Sequence, residues 1–149
     1  MHKTIIDWSI IQRDTERLSE KIVDSGININ LIVALLRGGT IPATILSHKL
    51  DLPMLTVGIK SYTGTVQSNL IVYQQCRELE SFKEHTNILV VDDLVDTGDT
   101  LHYVKQELCG RFNQVYTAVL YQKDNTLFKP DFHVTEEPGT KWLVFPWES

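Results

Sequence analysis

The sequence predicts an α/β domain in which a mostly parallel central sheet carries helices on both of its faces. Residues 31–36 and 88–91 are unbroken apolar runs rich in β-branched side chains, as in strands that are buried on both sides. Each run passes through a turn of small residues into a segment with the apolar spacing of a helix. Strands that alternate with helices form parallel sheets, and this alternation predicts the class.

The first half of the chain should contain two helices and two strands. We expect the first helix to begin at a capping box formed by Ser9 and Gln12. A strand at residues 31–36 precedes the second helix, which has Pro42 near its start, where the missing N–H costs no hydrogen bond. Residues 54–59 have the pattern of the next strand.

In the second half, a polar segment at residues 60–69 should form a flexible loop before a strand at residues 70–73. The strand at residues 88–91 leads into a helix that Gly110 closes. Residues 115–121 form the last predicted core strand, and an irregular tail should follow it.

The composition is that of an ordinary globular protein. With 149 residues, of which 42% are apolar and 22% charged, the chain can build one core, so we predict a single domain over residues 1–149. A formal net charge of −5 argues against a nucleic-acid partner. The sequence has neither an apolar run long enough for a membrane span nor a signal peptide, which predicts a cytoplasmic protein. Cys76 and Cys109 should be free thiols.

The segment that follows residues 88–91 carries most of the functional information. Asp92 and Asp93 come at the end of this strand, at the edge where open α/β sheets bind ligands. The turn at residues 96–100 can aim backbone N–H groups, two hydroxyls and a helix dipole at one point, which suits a phosphate. The carboxylates can accept hydrogen bonds from vicinal hydroxyls, directly or through a divalent cation, so a ribose 5-phosphate fits. An acidic, solvated turn is the alternative.

Residues 88–100 resemble the phosphoribosyl-pyrophosphate motif of the type I phosphoribosyltransferases and match it at every defined position. That motif has four apolar, two acidic and two apolar residues, followed by Asp-Thr-Gly-x-Thr. The resemblance implies the type I phosphoribosyltransferase fold, and Mg²⁺ held by Asp92 and Asp93, directly or through ribose and water. The implied ligands of phosphoribosyl pyrophosphate are Asp92, Asp93, Asp96, Thr97, Gly98, Asp99 and Thr100.

Asp99 departs from the residues common in the family, which often has glycine or a basic residue at this position. A carboxylate beside a bound phosphate is repulsive. We therefore expect the Asp99 side chain to point to solvent while its N–H points inward.

A second glycine turn follows residues 31–36. Arg37 offers a fork for phosphate oxygens, while Gly38 and Gly39 allow close approach of the backbone, although a tight turn with a surface arginine would have the same sequence. In the family this turn is the pyrophosphate loop. The resemblance also implies that Ser61 and Tyr62 belong to a loop that closes over the pyrophosphate; a plain surface loop is the alternative.

The segment after the last core strand should form a base pocket, in a small irregular hood. An ammonium such as Lys123 can donate to a carbonyl oxygen of a base, and Trp142 can stack on its ring. A solvated Lys123 and a core or interface Trp142 are the alternatives. Residues 142–148 resemble the tail of the small xanthine-guanine phosphoribosyltransferases. The implied base-binding residues are Lys123, Trp142, Leu143 and Glu148.

The implied activity is transfer of the 5-phosphoribosyl group to a 6-oxopurine, which is guanine, xanthine or hypoxanthine, in purine salvage. The partners would be phosphoribosyl pyrophosphate and the base, with neither nucleic acid nor a membrane involved, in a homodimer or homotetramer. Asp96 is the candidate general base, and its alternative role is to cap the following helix.

Two other functions share the same motif. One is a phosphoribosyltransferase for another base, such as a pyrimidine. The other is a regulator that senses phosphoribosyl pyrophosphate without turnover. Asp96, Lys123 and the Ser-Tyr pair disfavour the regulator, as does the lack of a basic nucleic-acid-binding domain.

Overall fold

The computed structural model describes residues 2–62 and 69–148. In chain order, the helices and strands are β1 (His2–Ile5), α1 (Trp8–Asp24), β2 (Leu31–Leu36), α2 (Thr40–Leu50), β3 (Met54–Tyr62), β4 (Asn69–Gln74), β5 (Asn87–Val95), α3 (Asp99–Cys109), β6 (Gln114–Lys123), β7 (Thr135–Glu137) and β8 (Lys141–Val144). Short 3₁₀ helices span Arg77–Ser81 and Pro146–Glu148.

Six strands form the central sheet in the order β4-β3-β2-β5-β6-β7, and only the β3–β4 pair is antiparallel. The chain moves outward from β2 through α2 to β3, and in the opposite direction from β5 through α3 to β6. The order therefore reverses between β2 and β5, and such a switch point opens a crevice at the carboxyl ends of the strands. The predicted fold class is confirmed.

The central strands are apolar throughout because helices cover both faces of the sheet. Along β2, Ile32 and Ala34 pack into the core shared with α1 and α2. The alternate residues Leu31, Val33 and Leu35 pack into the core shared with α3. This alternation between two cores explains the unbroken apolar runs in the sequence.

Helix α1 begins two residues earlier than the predicted capping box. The Asp7 carboxylate accepts the Ile10 N–H at 2.9 Å and the Ser9 hydroxyl at 2.7 Å, so Asp7 is the N-cap. The prediction of Ser9 as the cap was wrong because the ionised Asp7 side chain binds both donors.

The predicted irregular hood is also wrong in part. Strand β8 pairs in parallel with β1, with Lys3 beside Trp142 and Ile5 beside Val144. The two strands lie at opposite ends of the sequence, so local patterns could not reveal that the tail has a partner.

The prediction of a flexible loop over residues 60–69 was wrong at both ends. Lys60 to Tyr62 extend β3, and Asn69 begins β4, so that Ser61 pairs with Leu70 in an antiparallel ladder. The hypothesis that Ser61 and Tyr62 close over pyrophosphate concerns side chains outside the described part of the chain. Within residues 2–62 and 69–148, no helix is both long enough and apolar enough to span a membrane.

Candidate active site

The crevice between β2 and β5 opens where their pairing ends. The last paired residues are Ala34 and Val91. Beyond them β5 continues to pair with β6 as far as Val95, so Asp92 and Asp93 lie inside the strand. The prediction that they follow the end of the strand was wrong. One edge of this acidic pair is thereby freed from backbone pairing to β2, while the β6 side holds the strand in place.

A cleft of about 620 Å³ lies at this switch point. It is lined by Arg37, Gly38, Thr40, Ile41, Asp93, Trp147 and Glu148. Three segments far apart in the sequence meet there: the turn after β2, the acidic end of β5 and the C-terminal 3₁₀ helix. A volume of this size accommodates a small-molecule ligand.

The two aspartates are held by the backbone of their own strand. Asp92 accepts the Asp93 N–H at 2.9 Å, and Asp93 accepts the Leu94 N–H at 2.7 Å. Burial, together with the charge of Asp93, raises the pKa of Asp92 well above its usual range. Burial also raises the pKa of Asp93, and the negative charge of Glu148 adds to this. A cation or hydroxyl donors beside the pair would favour its ionised form.

Glycines in the turn after β2 are required by close contacts. A side chain at Gly38 would overlap the Asp93 carboxylate, and one at Gly39 would lie 2.7 Å from the carbonyl oxygen of Leu35. The Leu36–Arg37 peptide bond is cis. Helix α2 begins directly after Gly39. This glycine is the N-cap and provides no side-chain hydrogen bond to the helix. The exposed Arg37 side chain stands at the mouth of the cleft.

The turn between β5 and α3 lies in the predicted phosphate loop, residues 96–100, and contains a glycine with a positive φ. Gly98 has a φ of 95°, in the region that favours glycine, and is the N-cap of α3 without a side-chain hydrogen bond. Asp96 therefore does not cap this helix. Thr97 accepts the Asp99 N–H at 3.3 Å. The Asp99 side chain is exposed, as expected, but its N–H is directed to Thr97.

Lys123 is the last residue of β6, and its ammonium group is enclosed by the segment that follows this strand. Its side chain is only 4% exposed and donates to the carbonyl oxygens of Lys141 and, at 3.3 Å, of Pro138. Lys123 is therefore not a solvated surface charge. Because an ammonium has three N–H donors, one remains for another acceptor. The bond to Lys141 also ties β6 to the start of β8, next to Trp142.

Other predicted base-binding residues have different surroundings. Trp142 is 55% exposed on β8, whereas Leu143 is 5% exposed and packs in the core. Glu148 lines the cleft and accepts the Phe145 N–H at 3.0 Å. Among the described residues, Lys123, Trp142 and Leu143 are not part of the lining of the cleft between β2 and β5.

The sequence analysis did not assign Trp147 to the site. Trp147 lines the cleft and stacks on Phe145 with a centroid distance of 4.9 Å and an interplanar angle of 3°. Trp8 approaches it from α1 at 6.1 Å. The only signal in the sequence was its position between Pro146 and Glu148 in the tail pattern, and that pattern did not distinguish Trp147 from Trp142.

The chain is similar to known proteins over nearly its whole length. The phosphoribosyl transferase domain family matches residues 2–148. Xanthine-guanine phosphoribosyltransferase from Cereibacter sphaeroides is 31% identical over 147 residues, which cover 96% of this chain and 85% of that protein.

Two solved structures share the fold over nearly the full length of the chain. The purine phosphoribosyltransferase from Pyrococcus horikoshii has a TM-score of 0.86 and 31% identity, covering 100% of this chain and 96% of the other. The Helicobacter pylori xanthine-guanine-hypoxanthine phosphoribosyltransferase has a TM-score of 0.82 and 28% identity, covering 99% and 94%. Because the family matches nearly the whole chain and a curated member is 31% identical to it, the chain belongs to the phosphoribosyltransferase family.

Proposed function

We propose that the protein transfers the 5-phosphoribosyl group of phosphoribosyl pyrophosphate to guanine, xanthine or hypoxanthine in purine salvage. The products are a purine nucleoside monophosphate and pyrophosphate. The observation that carries this proposal is the contact between the Asp93 carboxylate and Gly38 in the crevice between β2 and β5. This contact supports the proposal because it brings the acidic pair that we propose to bind ribose next to the turn that we propose to bind pyrophosphate. Relatives named as purine phosphoribosyltransferases support the choice of base.

Phosphoribosyl pyrophosphate would be held at both ends. Residues 96–100 bind its 5-phosphate, while Asp92 and Asp93 bind the ribose hydroxyls. Arg37, Gly38 and Gly39 bind the pyrophosphate, and Ser61 and Tyr62 are proposed to close over it and exclude water.

The acidic pair fits a magnesium ion. Within residues 2–62 and 69–148, no group of three or more His, Cys, Asp or Glu side chains forms a complete metal site. Mg²⁺ is commonly bound by one or two carboxylates together with substrate oxygens, so Asp92 and Asp93 are sufficient, directly or through ribose and water. When bound, the metal would neutralise the charge that develops on the departing pyrophosphate.

In the transfer step, the bond from the ribose anomeric carbon to pyrophosphate breaks, and a bond from that carbon to a purine ring nitrogen forms. Asp96, which is exposed at the start of the phosphate loop, is the proposed general base that takes the proton this nitrogen loses. General base catalysis of this kind contributes a factor of about 100 or more to the rate.

Lys123, Trp142, Leu143 and Glu148 are proposed to recognise the base. The remaining N–H of the Lys123 ammonium would donate to the 6-oxo group, and the exposed face of Trp142 would stack on the purine. We also propose a cytoplasmic homodimer or homotetramer.

A panel of bases tests this function directly. The protein is incubated with phosphoribosyl pyrophosphate, magnesium and guanine, xanthine, hypoxanthine, adenine or uracil, and the nucleotide product is quantified by chromatography. We expect product from the 6-oxopurines. Preferred turnover of uracil would indicate a pyrimidine enzyme. Binding of phosphoribosyl pyrophosphate without turnover of any base would indicate a sensor.

A further inference from the structure

The phosphate loop is supported from behind by the segment that follows β6. The Leu127 N–H donates to the carbonyl oxygen of Thr97 at 3.2 Å. The backbone and Cβ of Phe128 lie directly against Gly98, so that a side chain on Gly98 would overlap them. Thr126 fixes this segment, because its hydroxyl donates to the Phe128 carbonyl at 3.1 Å. The phosphate loop thus packs against residues 126–128, which are distant from it in the sequence.

The ring of Phe128 extends this support to the first turn of α3. It meets the His102 ring edge-on, with a centroid distance of 5.4 Å and an interplanar angle of 68°. His102 in turn donates its backbone N–H to the Gly98 carbonyl at 2.9 Å. Phe128 therefore contacts both Gly98, at the N-cap of α3, and His102, in the first turn of that helix.

We propose that Phe128 is a positioning residue for the site that binds the 5-phosphate of phosphoribosyl pyrophosphate. This inference rests on the proposed function of residues 96–100. Because the N-cap of α3 is Gly98, which has no side chain to bind the helix N–H groups, the direction of these groups depends on the backbone at Gly98. The backbone and Cβ of Phe128 lie against Gly98, and its ring contacts His102 in the first turn of α3.

The base side of the site has separate support. The same segment starts at Lys123, whose carbonyl accepts the Thr126 N–H at 3.2 Å. The ammonium of Lys123 donates to the carbonyl oxygens of Pro138 and Lys141. The Phe128 ring takes no part in these two hydrogen bonds. Loss of the Phe128 ring should therefore affect phosphate binding and leave base binding unchanged.

The test compares Phe128→Ala with Phe112→Ala. Both rings pack in the core on the α3 side of the sheet, but Phe112 lies beyond the C-terminal end of α3. Phe128→Ala keeps the backbone and Cβ that lie against Gly98 and removes only the ring that meets His102. From the loss of this aromatic pair and its packing, we expect the KM for phosphoribosyl pyrophosphate to rise about tenfold. The kcat and the KM for guanine should stay within about twofold of wild type. Phe112→Ala should lower the Tm and leave all three kinetic constants unchanged.

Phe128→Leu keeps most of the apolar volume but has no aromatic ring to meet His102. It replaces the alanine variant in these measurements if that variant does not fold. It should raise the same KM about threefold. Calorimetric titration with ribose 5-phosphate measures the phosphate site without turnover and should show the same order of affinities. Unchanged affinity for ribose 5-phosphate in a folded Phe128→Leu or Phe128→Ala protein would overturn the inference, as would an equal loss in Phe112→Ala. A wild-type protein that binds ribose 5-phosphate but uses no base would refute the proposed function alone.

Discussion

The carboxylate of Asp93 lies against the α-carbon of Gly38, in the space that any side chain at position 38 would need. The two residues come from β5 and from the turn after β2, and their contact joins the proposed ribose and pyrophosphate sites. We therefore expect a change in the geometry of one site to affect binding at the other.

Gly38→Ala should displace Asp93 while the rest of the fold persists. Because a displacement of about 1 Å at a catalytic site can cost a factor of about 100, we expect kcat/KM to fall by about that amount. Steady-state kinetics with phosphoribosyl pyrophosphate and guanine provide the measurement. Gly110→Ala is the matched control, since a methyl group at position 110 meets no atom within 4 Å; an equal loss there would contradict the explanation.

Replacing Thr97 and Thr100 together with valine should weaken binding of phosphoribosyl pyrophosphate. Each substitution removes a hydroxyl hydrogen bond of about 1 kcal/mol, which together correspond to about 30-fold in Kd. Isothermal titration calorimetry measures this change. Thr44→Val removes an exposed hydroxyl on α2 and should have no effect. An unchanged Kd in the folded double variant would remove residues 97–100 from the proposed site.

Asp96→Asn keeps the shape and hydrogen-bonding capacity of the side chain but loses its basic carboxylate. Turnover should fall about 100-fold with little change in affinity for phosphoribosyl pyrophosphate. Single-turnover experiments separate the chemical step from product release. Wild-type single-turnover rates would show that another group takes the proton.

The stability of the ligand-free protein should fall as pH rises above about 4. The pKa of Asp92 is raised from 3.8 by burial and by the charge of Asp93, so the folded chain binds a proton that the unfolded chain has released. This contribution is present below pH 3.8 and is lost as pH rises through the folded-state pKa. Asp92→Asn has no carboxyl to ionise, so it should not lose this contribution and should be more stable than wild type at pH 8.

Urea denaturation of both proteins at pH 5 and pH 8 measures the difference. Asp92→Asn should also bind phosphoribosyl pyrophosphate with magnesium more weakly. Equal pH dependence in wild type and Asp92→Asn would contradict the role of burial.

Lys123→Ala should reduce the preference for 6-oxopurines over adenine. An ammonium can only donate, so it suits the 6-oxo acceptor and opposes the 6-amino group, and such a site can reject a mismatched base by several orders of magnitude. The measurement is the ratio of kcat/KM for guanine over adenine. Trp142→Ala provides the contrast, because loss of stacking should weaken all purines together and leave that ratio unchanged. A ratio unaffected by Lys123→Ala would mean that this ammonium serves only to hold β8.

The sequence alone determined the alternation of strands and helices, the two turns at the ends of β2 and β5, and the family motif at residues 88–100. These features are local. An apolar run without alternation requires burial on both faces, and a turn of glycine and hydroxyl residues depends on neighbours within a few positions.

Tertiary structure decided the features that depend on distant parts of the chain. The pairing of β1 with β8, the enclosure of the Lys123 ammonium by carbonyls of the hood, and the position of Trp147 in the cleft all arise from contacts between remote segments. The extension of β5 through Asp92 and Asp93 likewise depends on β6, which continues to pair after β2 has turned away. Side-chain type and spacing do not encode which distant backbone atoms will be within hydrogen-bonding distance, so only the folded chain could show these contacts.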